Sequence, residues 1–95
     1  MVVSMVQFII QLPDITSIKE KRRIVKSLIA KIARKFKLSA AEVDLQDSLT
    51  FTQIGAALVS NSSRYGESVM QKVIRFVEDE APGRLQDVSV YSEMF

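Results

Sequence analysis

The chain begins with alternating apolar and mixed positions between residues 2 and 12. A period of two that is rich in β-branched side chains predicts a strand with one buried face. Gln7 and Gln11 interrupt the other face, where they mix with Met5 and Ile9. The predicted buried face is formed by Val2, Val6, Phe8, Ile10 and Leu12.

A helical period follows and extends to about Phe36. Ser17 and Glu20 have the spacing of a capping box, in which the serine hydroxyl accepts from a backbone N–H and the glutamate reaches back to the cap. The apolar positions fall within an arc of about 100° of the helix. They are Ile18, Val25, Leu28, Ile29, Ile32 and Phe36.

Residues 37–45 alternate weakly and predict a second strand. Phe51 to Ser60 predicts a third strand, in which Ile54, Ala56 and Leu58 share a face. Gly55, inside this strand, indicates either a bulge or a close backbone approach.

A second helix is predicted after Asn61-Ser62-Ser63, which offers three candidate N-caps, and before Pro82-Gly83, which lies just past its end. We expect Gly66 to weaken its first turns. Its apolar stripe contains Val69, Met70, Val73, Ile74, Phe76 and Val77. Residues 85–91 predict the last strand, with Val88 and Val90 on one face.

The element order β-α-β-β-α-β predicts a ferredoxin-like sandwich of the α+β class, formed by residues 1–95 as a single domain. Short connections and right-handed crossovers favour a four-stranded antiparallel sheet of order 4-1-3-2 with both helices on one face. The second face of the sheet is then uncovered, or a partner chain covers it.

Composition argues against most catalytic chemistry. The chain has no cysteine and no histidine, which removes thiolate nucleophiles, disulfides and the commonest acid/base and metal ligands. No P-loop, dinucleotide fingerprint or nucleophile elbow occurs. We therefore expect no catalytic residue, no metal and no cofactor. No apolar stretch approaches the ~20 residues of a membrane helix, and no signal peptide is recognisable, so we expect a cytoplasmic protein without membrane contact.

Charge is distributed very unevenly. Between Lys19 and Lys37 there are nine basic residues and one acid, a formal charge of +8, whereas the remaining four basic and ten acidic residues sum to −6. A one-sided basic surface is typical of proteins that bind polyanions. The cations opposite the apolar stripe of the first helix are Lys19, Arg22, Arg23, Lys26, Arg34 and Lys37.

The segment Ser17-Ile18-Lys19-Glu20-Lys21-Arg22-Arg23 resembles the helix start of the YlxP-like family, small bacterial proteins of unknown function. The resemblance continues through Ser39-Ala40-Ala41-Glu42-Val43, Gln46-Asp47, Val59-Ser60-Asn61 and Arg75-Phe76-Val77-Glu78. It implies a ferredoxin-like fold, in agreement with the element order, and it implies no activity.

Three further features have a structural and a functional interpretation. The acids Glu42, Asp44 and Asp47 have two functional interpretations: they bind a hard cation, or they shift each other's pKa as an acid/base pair. The structural interpretation is that they solvate a turn, with Asp47 accepting from backbone N–H groups. The serines between Ser60 and Ser63 either cap the second helix or hold a phosphate. On the uncovered sheet face, Ile9, Val59 and Tyr91 predict a self-association patch rather than a base-stacking platform.

The leading hypothesis is a non-enzymatic binding protein that docks on structured RNA or a ribosomal particle through its basic first helix. The alternative is a structural or regulatory module that forms a homo-oligomer through the open sheet face and binds a protein or a small ligand.

Overall fold

The computed structural model describes all residues from Met1 to Phe95 and confirms the ferredoxin-like fold. The elements are β1 (Val2–Gln11), α1 (Ile18–Phe36), β2 (Ser39–Asp44), β3 (Phe51–Ser60), α2 (Ser63–Glu80) and β4 (Arg84–Met94). All strand pairs are antiparallel and the sheet order is β2-β3-β1-β4, the predicted order read from the other edge. Neither helix combines the length and apolar character needed to cross a bilayer.

The core lies between the helices and the inner face of the sheet. Burial along β1 alternates as predicted, so that Val2, Val6, Phe8 and Ile10 are buried. The same core contains the buried apolar residues of both helices, which places both on one side of the sheet. The opposite, outer face of the sheet carries no element of the chain.

Helix α1 begins at the predicted cap, although the reciprocal half of the capping box differs. The Ser17 hydroxyl accepts from the Glu20 N–H at 3.1 Å, whereas the Glu20 carboxylate accepts from the hydroxyl and N–H of Thr16 instead of from Ser17. The helix ends where Lys37 adopts a left-handed conformation (φ 53°) and donates its N–H to the Ala33 carbonyl. Lys37, which was predicted to belong to the cationic helix face, therefore lies just past the last turn.

The irregularity expected near Gly55 lies in the neighbouring strand. The β2–β3 register shifts between Glu42 and Asp44, so the extra residue is Val43, while β1 and β3 pair without interruption through Gly55. A Cβ at Gly55 would lie 3.1 Å from the Val43 side chain. The neighbour that comes close to Gly55 is thus a side chain and not the backbone, so neither the predicted close backbone approach nor a bulge at that residue is found.

Strand β4 is longer than predicted and is interrupted once. Gln7 pairs with Ser89 and Ile9 with Gln86, so Asp87 and Val88 stand opposite Phe8 alone, and Asp87 has a φ of 53°. Two residues opposite one residue of the neighbouring strand define a β-bulge. Strict alternation fails there: Val90 packs against the core, whereas Val88 is exposed, contrary to the expectation that both share a face.

Helix α2 begins after Ser62, whose hydroxyl accepts from the Tyr65 N–H. Gly66 is buried one turn later, because α2 crosses β1 closely enough that a Cβ at this position would overlap the Ser4 hydroxyl and lie 2.7 Å from the Ser4 Cβ. The Ser4 hydroxyl is itself fixed by a 2.7 Å hydrogen bond to the Ser92 hydroxyl. Gly66, which looked like a defect of the helix, is a requirement of the helix–sheet contact.

We expect Gly66→Ala to lower the free energy of unfolding by about 1–3 kcal/mol, the usual effect of inserting an extra group into a packed site. The loss should appear even though alanine is the better helix former by ~1 kcal/mol. Urea denaturation measures it, with Ser68→Ala on the exposed side of the same helix as the control. A Gly66→Ala protein as stable as the parent would contradict the close contact.

Candidate functional site

The six cations predicted to form an anion-binding face are all exposed. They are Lys19, Arg22, Arg23, Lys26, Arg34 and Lys37. None of them is paired with a carboxylate of the chain, since the structure contains a single ion pair and that pair joins Lys21 to Glu42. With 19 residues in α1, the face is about 28 Å long. It is long enough to follow several phosphates of a nucleic-acid strand.

The structure shows two further exposed cations beside this face, Lys31 and Lys35. Together with Arg34 they line a 320 Å³ groove between the helices, and Phe76 and Glu80 of α2 form its other wall. The Lys35 ammonium lies 5.5 Å from the centroid of the Phe76 ring, within the range of a cation–π contact. The basic surface therefore extends from α1 into the groove beside α2.

A second depression of 280 Å³ continues this groove toward the start of α1. Arg23 and Lys31 line one side of it, and Glu80 and Pro82 line the other. Glu80 is the carboxylate that borders both depressions, but it forms no ion pair with these cations. The structure thus brings Arg23 and Arg34 to the α2 side of the basic surface.

Lys21 is the exception among the cations of α1, because it is buried. Its side chain is 1% exposed, and its ammonium lies 3.2 Å from a carboxylate oxygen of Glu42. The ammonium also donates to the carbonyl oxygens of Leu45 and Gln46 at 2.5 and 3.3 Å. The same Glu42 oxygen accepts from the Thr52 hydroxyl at 2.6 Å. This buried polar cluster connects the first turns of α1 to β2, β3 and the connection between them.

The burial of Lys21 was missed in the sequence although a signal for it exists. Lys21 precedes Val25, Leu28 and Ile32 by four, seven and eleven residues, which is the spacing of one helix face. A lysine at such a position either extends its ammonium to solvent or requires an acceptor inside. The acceptor, Glu42, lies 21 residues along the chain in another element, and local spacing does not reveal it.

The three acids near the β2–β3 connection do not form a metal-binding group. Glu42 belongs to the Lys21 cluster, and the Asp44 carboxylate accepts from the Leu45 N–H at 2.7 Å. The turn is stabilised by Ser48, whose hydroxyl accepts from the N–H groups of Thr50 and Phe51. The expectation that Asp47 performs this role is therefore wrong.

The serines before α2 act as the capping interpretation predicted. Ser62 caps the helix, and the Ser60 hydroxyl donates to the Ser62 carbonyl at 3.0 Å while lying 3.3 Å from the Ser62 N–H. These side chains are occupied with the backbone of their own turn. Nothing in their geometry singles out a phosphate site.

The outer sheet face contains a shallow apolar depression of 230 Å³ over Gly55. Beside it, the Gln53 side chain donates to that of Gln7 at 2.9 Å across β1 and β3. Of the three residues predicted to form an association patch, Val59 and Tyr91 are 63% and 47% exposed and lie beside Val3 and Met5 of β1. Ile9 is half-buried and is separated from them by Gln7. The centre of the face thus combines apolar side chains with uncharged polar ones and is open to solvent.

Comparison with known families identifies the chain. The family described as "Protein of unknown function (DUF503)" matches residues 3–90. The chain belongs to this DUF503 family. It is also similar to the "Uncharacterized protein YlxP" of Bacillus subtilis (strain 168), with 35% identity over 65 residues that cover 68% of this chain and 71% of the relative. The predicted resemblance to YlxP-like proteins is confirmed.

The segments that carry the DUF503 resemblance contribute to the buried cluster. Lys21 comes from the first segment, Glu42 from the second and Gln46 from the third, and the structure joins all three. Ser17, the first residue of the first segment, caps α1. Residues of these segments thus form the buried cluster and the cap of α1, whereas Lys19, Arg22 and Arg23 of the first segment are exposed.

We expect Lys21→Met to lower the free energy of unfolding by about 2 kcal/mol, because it leaves the Glu42 carboxylate and two carbonyls without their charged donor. We expect a smaller loss than for a fully buried ion pair, since Glu42 is 18% exposed. Chemical denaturation measures the loss, and Lys26→Met on the exposed side is the matched control. The double variant Lys21→Met/Glu42→Leu should lose less free energy of unfolding than the sum of the losses in the two single variants. A loss equal to that sum would contradict the coupling between the two side chains.

Proposed function

We propose that the chain is a non-enzymatic binding protein that docks on the phosphate backbone of structured RNA or of a ribonucleoprotein through α1. The observation that supports this most directly is the set of unpaired cations on α1. All eight basic residues of the window other than Lys21 are exposed, and none has a carboxylate partner in the chain. An ordinary exposed helix mixes charges of both signs and gains from i,i+4 pairs, which α1 does not.

The buried cluster gives this surface a fixed orientation. Since Lys21 is held inside by Glu42 and two carbonyls, α1 has little freedom to rotate about its axis. Arg22 and Arg23 follow directly and are exposed. The cations are thus carried by a helix whose position is already set before an anionic ligand arrives, which reduces the ordering that binding costs.

Recognition of phosphates rather than bases is supported by the outer sheet face. Domains of this topology that read single-stranded RNA stack bases on aromatic side chains of the central strands. In this chain, the outer positions at the middle of the central strands β1 and β3 are Gln7, Ile9, Gln53, Gly55 and Ala57, none of them aromatic, and Phe51 stands at the first position of β3. We therefore expect binding with little dependence on base sequence.

Charge reversal tests the proposal against a control of identical net charge. The variant Arg22→Glu/Arg23→Glu/Lys26→Glu changes the net charge from +2 to −4, and so does Arg64→Glu/Lys72→Glu/Arg75→Glu on α2, whose three side chains are also exposed. By fluorescence anisotropy with a labelled RNA hairpin, we expect the α1 variant to weaken binding about 100-fold or more, because local phosphate contacts dominate such affinities. The α2 variant should bind much more tightly than the α1 variant.

An equal loss of RNA affinity in the two triple variants would show that only net charge matters. Binding of RNA by the α1 variant with the parental affinity would contradict the proposal. Neither triple variant replaces a buried residue. Both should therefore melt near the parental temperature, which circular dichroism checks.

Salt titration gives a second, independent prediction. If α1 neutralises several phosphates, the logarithm of the association constant should fall linearly with the logarithm of salt concentration, by about 0.7–0.9 per phosphate. The slope should become shallower by at least about 1 in the Lys31→Ala/Lys35→Ala variant if the groove beside α2 takes part. A slope close to zero for the parent protein would contradict phosphate recognition.

A further inference from the structure

The outer sheet face combines a protruding side chain and a depression at matched positions. Tyr91 on β4 is 47% exposed and pairs with Met5 on β1, which pairs in turn with Ala57 on β3. Ala57 and Gly55 lie at the centre of the 230 Å³ depression. Its outward-facing lining consists of Met5, Gln7, Ser39, Ala41, Val43, Gly55 and Ala57.

The strand order places these two features symmetrically about β1. In the order β2-β3-β1-β4, Tyr91 lies one strand from β1 on one side, and Ala57 lies one strand from β1 on the other. Neighbouring strands are about 4.8 Å apart. A rotation of 180° about an axis that runs along β1, in the plane of contact, therefore exchanges the two positions at the same level of the sheet.

We propose that the outer sheet face binds a second copy of this chain, with Tyr91 of each copy inserted into the depression over Gly55 and Ala57 of the other. Two sheets packed face to face are about 10 Å apart, a gap that side chains from both inner faces fill. Such an isologous contact uses the same surface twice. It also brings Met5 and Ile9 of the two β1 strands together along the axis.

The charge and size of the face favour a second copy over other occupants. The outward-facing residues of β1 and β3 carry no charge. The charged residues in register with this face on the outer strands stand at strand ends: Asp44 at the end of β2, and Arg84 and Glu93 near the two ends of β4. Two copies thus approach without repulsion between like charges at the centre. The depression is smaller than the roughly 300–1,000 Å³ of small-molecule sites, and it suits a single side chain.

Sedimentation measurements test the proposal over concentrations from about 1 to about 100 µM, which begin at the weak, micromolar end of the affinities of interfaces of ordinary size. The parent protein should be a dimer at the upper end. Tyr91→Ala and Ala57→Glu should each raise the dissociation constant of the dimer about 30-fold or more, as expected for loss of a central anchor. Tyr65→Ala, which removes a ring of similar exposure from α2, is the matched control and should leave it unchanged.

Mixing the two variants distinguishes this contact from any other dimer. In a heterodimer of Tyr91→Ala with Ala57→Glu, the intact Tyr91 of one copy meets the intact depression of the other, so one of the two contacts is restored. The mixture should form dimers at concentrations where each variant alone is monomeric. A parent protein that stays monomeric at 100 µM, or a dimer that survives both substitutions, overturns the proposal. The RNA assay is independent of either result.

Discussion

The burial of one cation determines how the other cations of α1 are presented. Lys21 lies in the core-facing stripe of the helix, and its ammonium is held by the Glu42 carboxylate and by the carbonyls of Leu45 and Gln46. A buried ion pair is not by itself a strong source of stability, because removing both charges from water is costly. Its effect here is specificity: a helix turned by one residue would leave Lys21 without acceptors and Glu42 without a donor. The outward direction of Arg22, Arg23 and Lys26 follows from that constraint.

Most of the fold could be predicted from the sequence, because its elements carry local signals that agree with one another. The alternation in β1, the caps at Ser17 and Ser62 and the stop after Glu80 all act within a few residues of where they are read. The features that sequence reasoning missed depend on contacts between distant segments. Gly66 is explained only by its distance from Ser4, and Val88 is exposed only because a bulge in β4 changes the register against β1.

The residues of the candidate site divide in the same way into those that local spacing reveals and those that depend on contacts between distant segments. The exposed cations of α1 could be identified from helical spacing, since residues opposite an apolar stripe face solvent. Lys31 and Lys35 were overlooked because they lie between the two faces of the helix, and only the position of α2 shows that they border a groove with Phe76. Acidic residues near a turn look alike in a sequence, and the structure assigns Glu42, Asp44 and Asp47 to different surroundings.

Because the fold has two layers, the exposed side of the helices and the outer face of the sheet lie on opposite sides of the molecule. Both helices cover one side of the sheet, so whatever occupies the other side leaves α1 fully accessible. In a particle made by joining two sheets, the basic helices would point away from each other at opposite ends. Such a dimer would be bivalent. Its ability to link two anionic segments would depend on the distance between those segments rather than on the affinity of either helix alone.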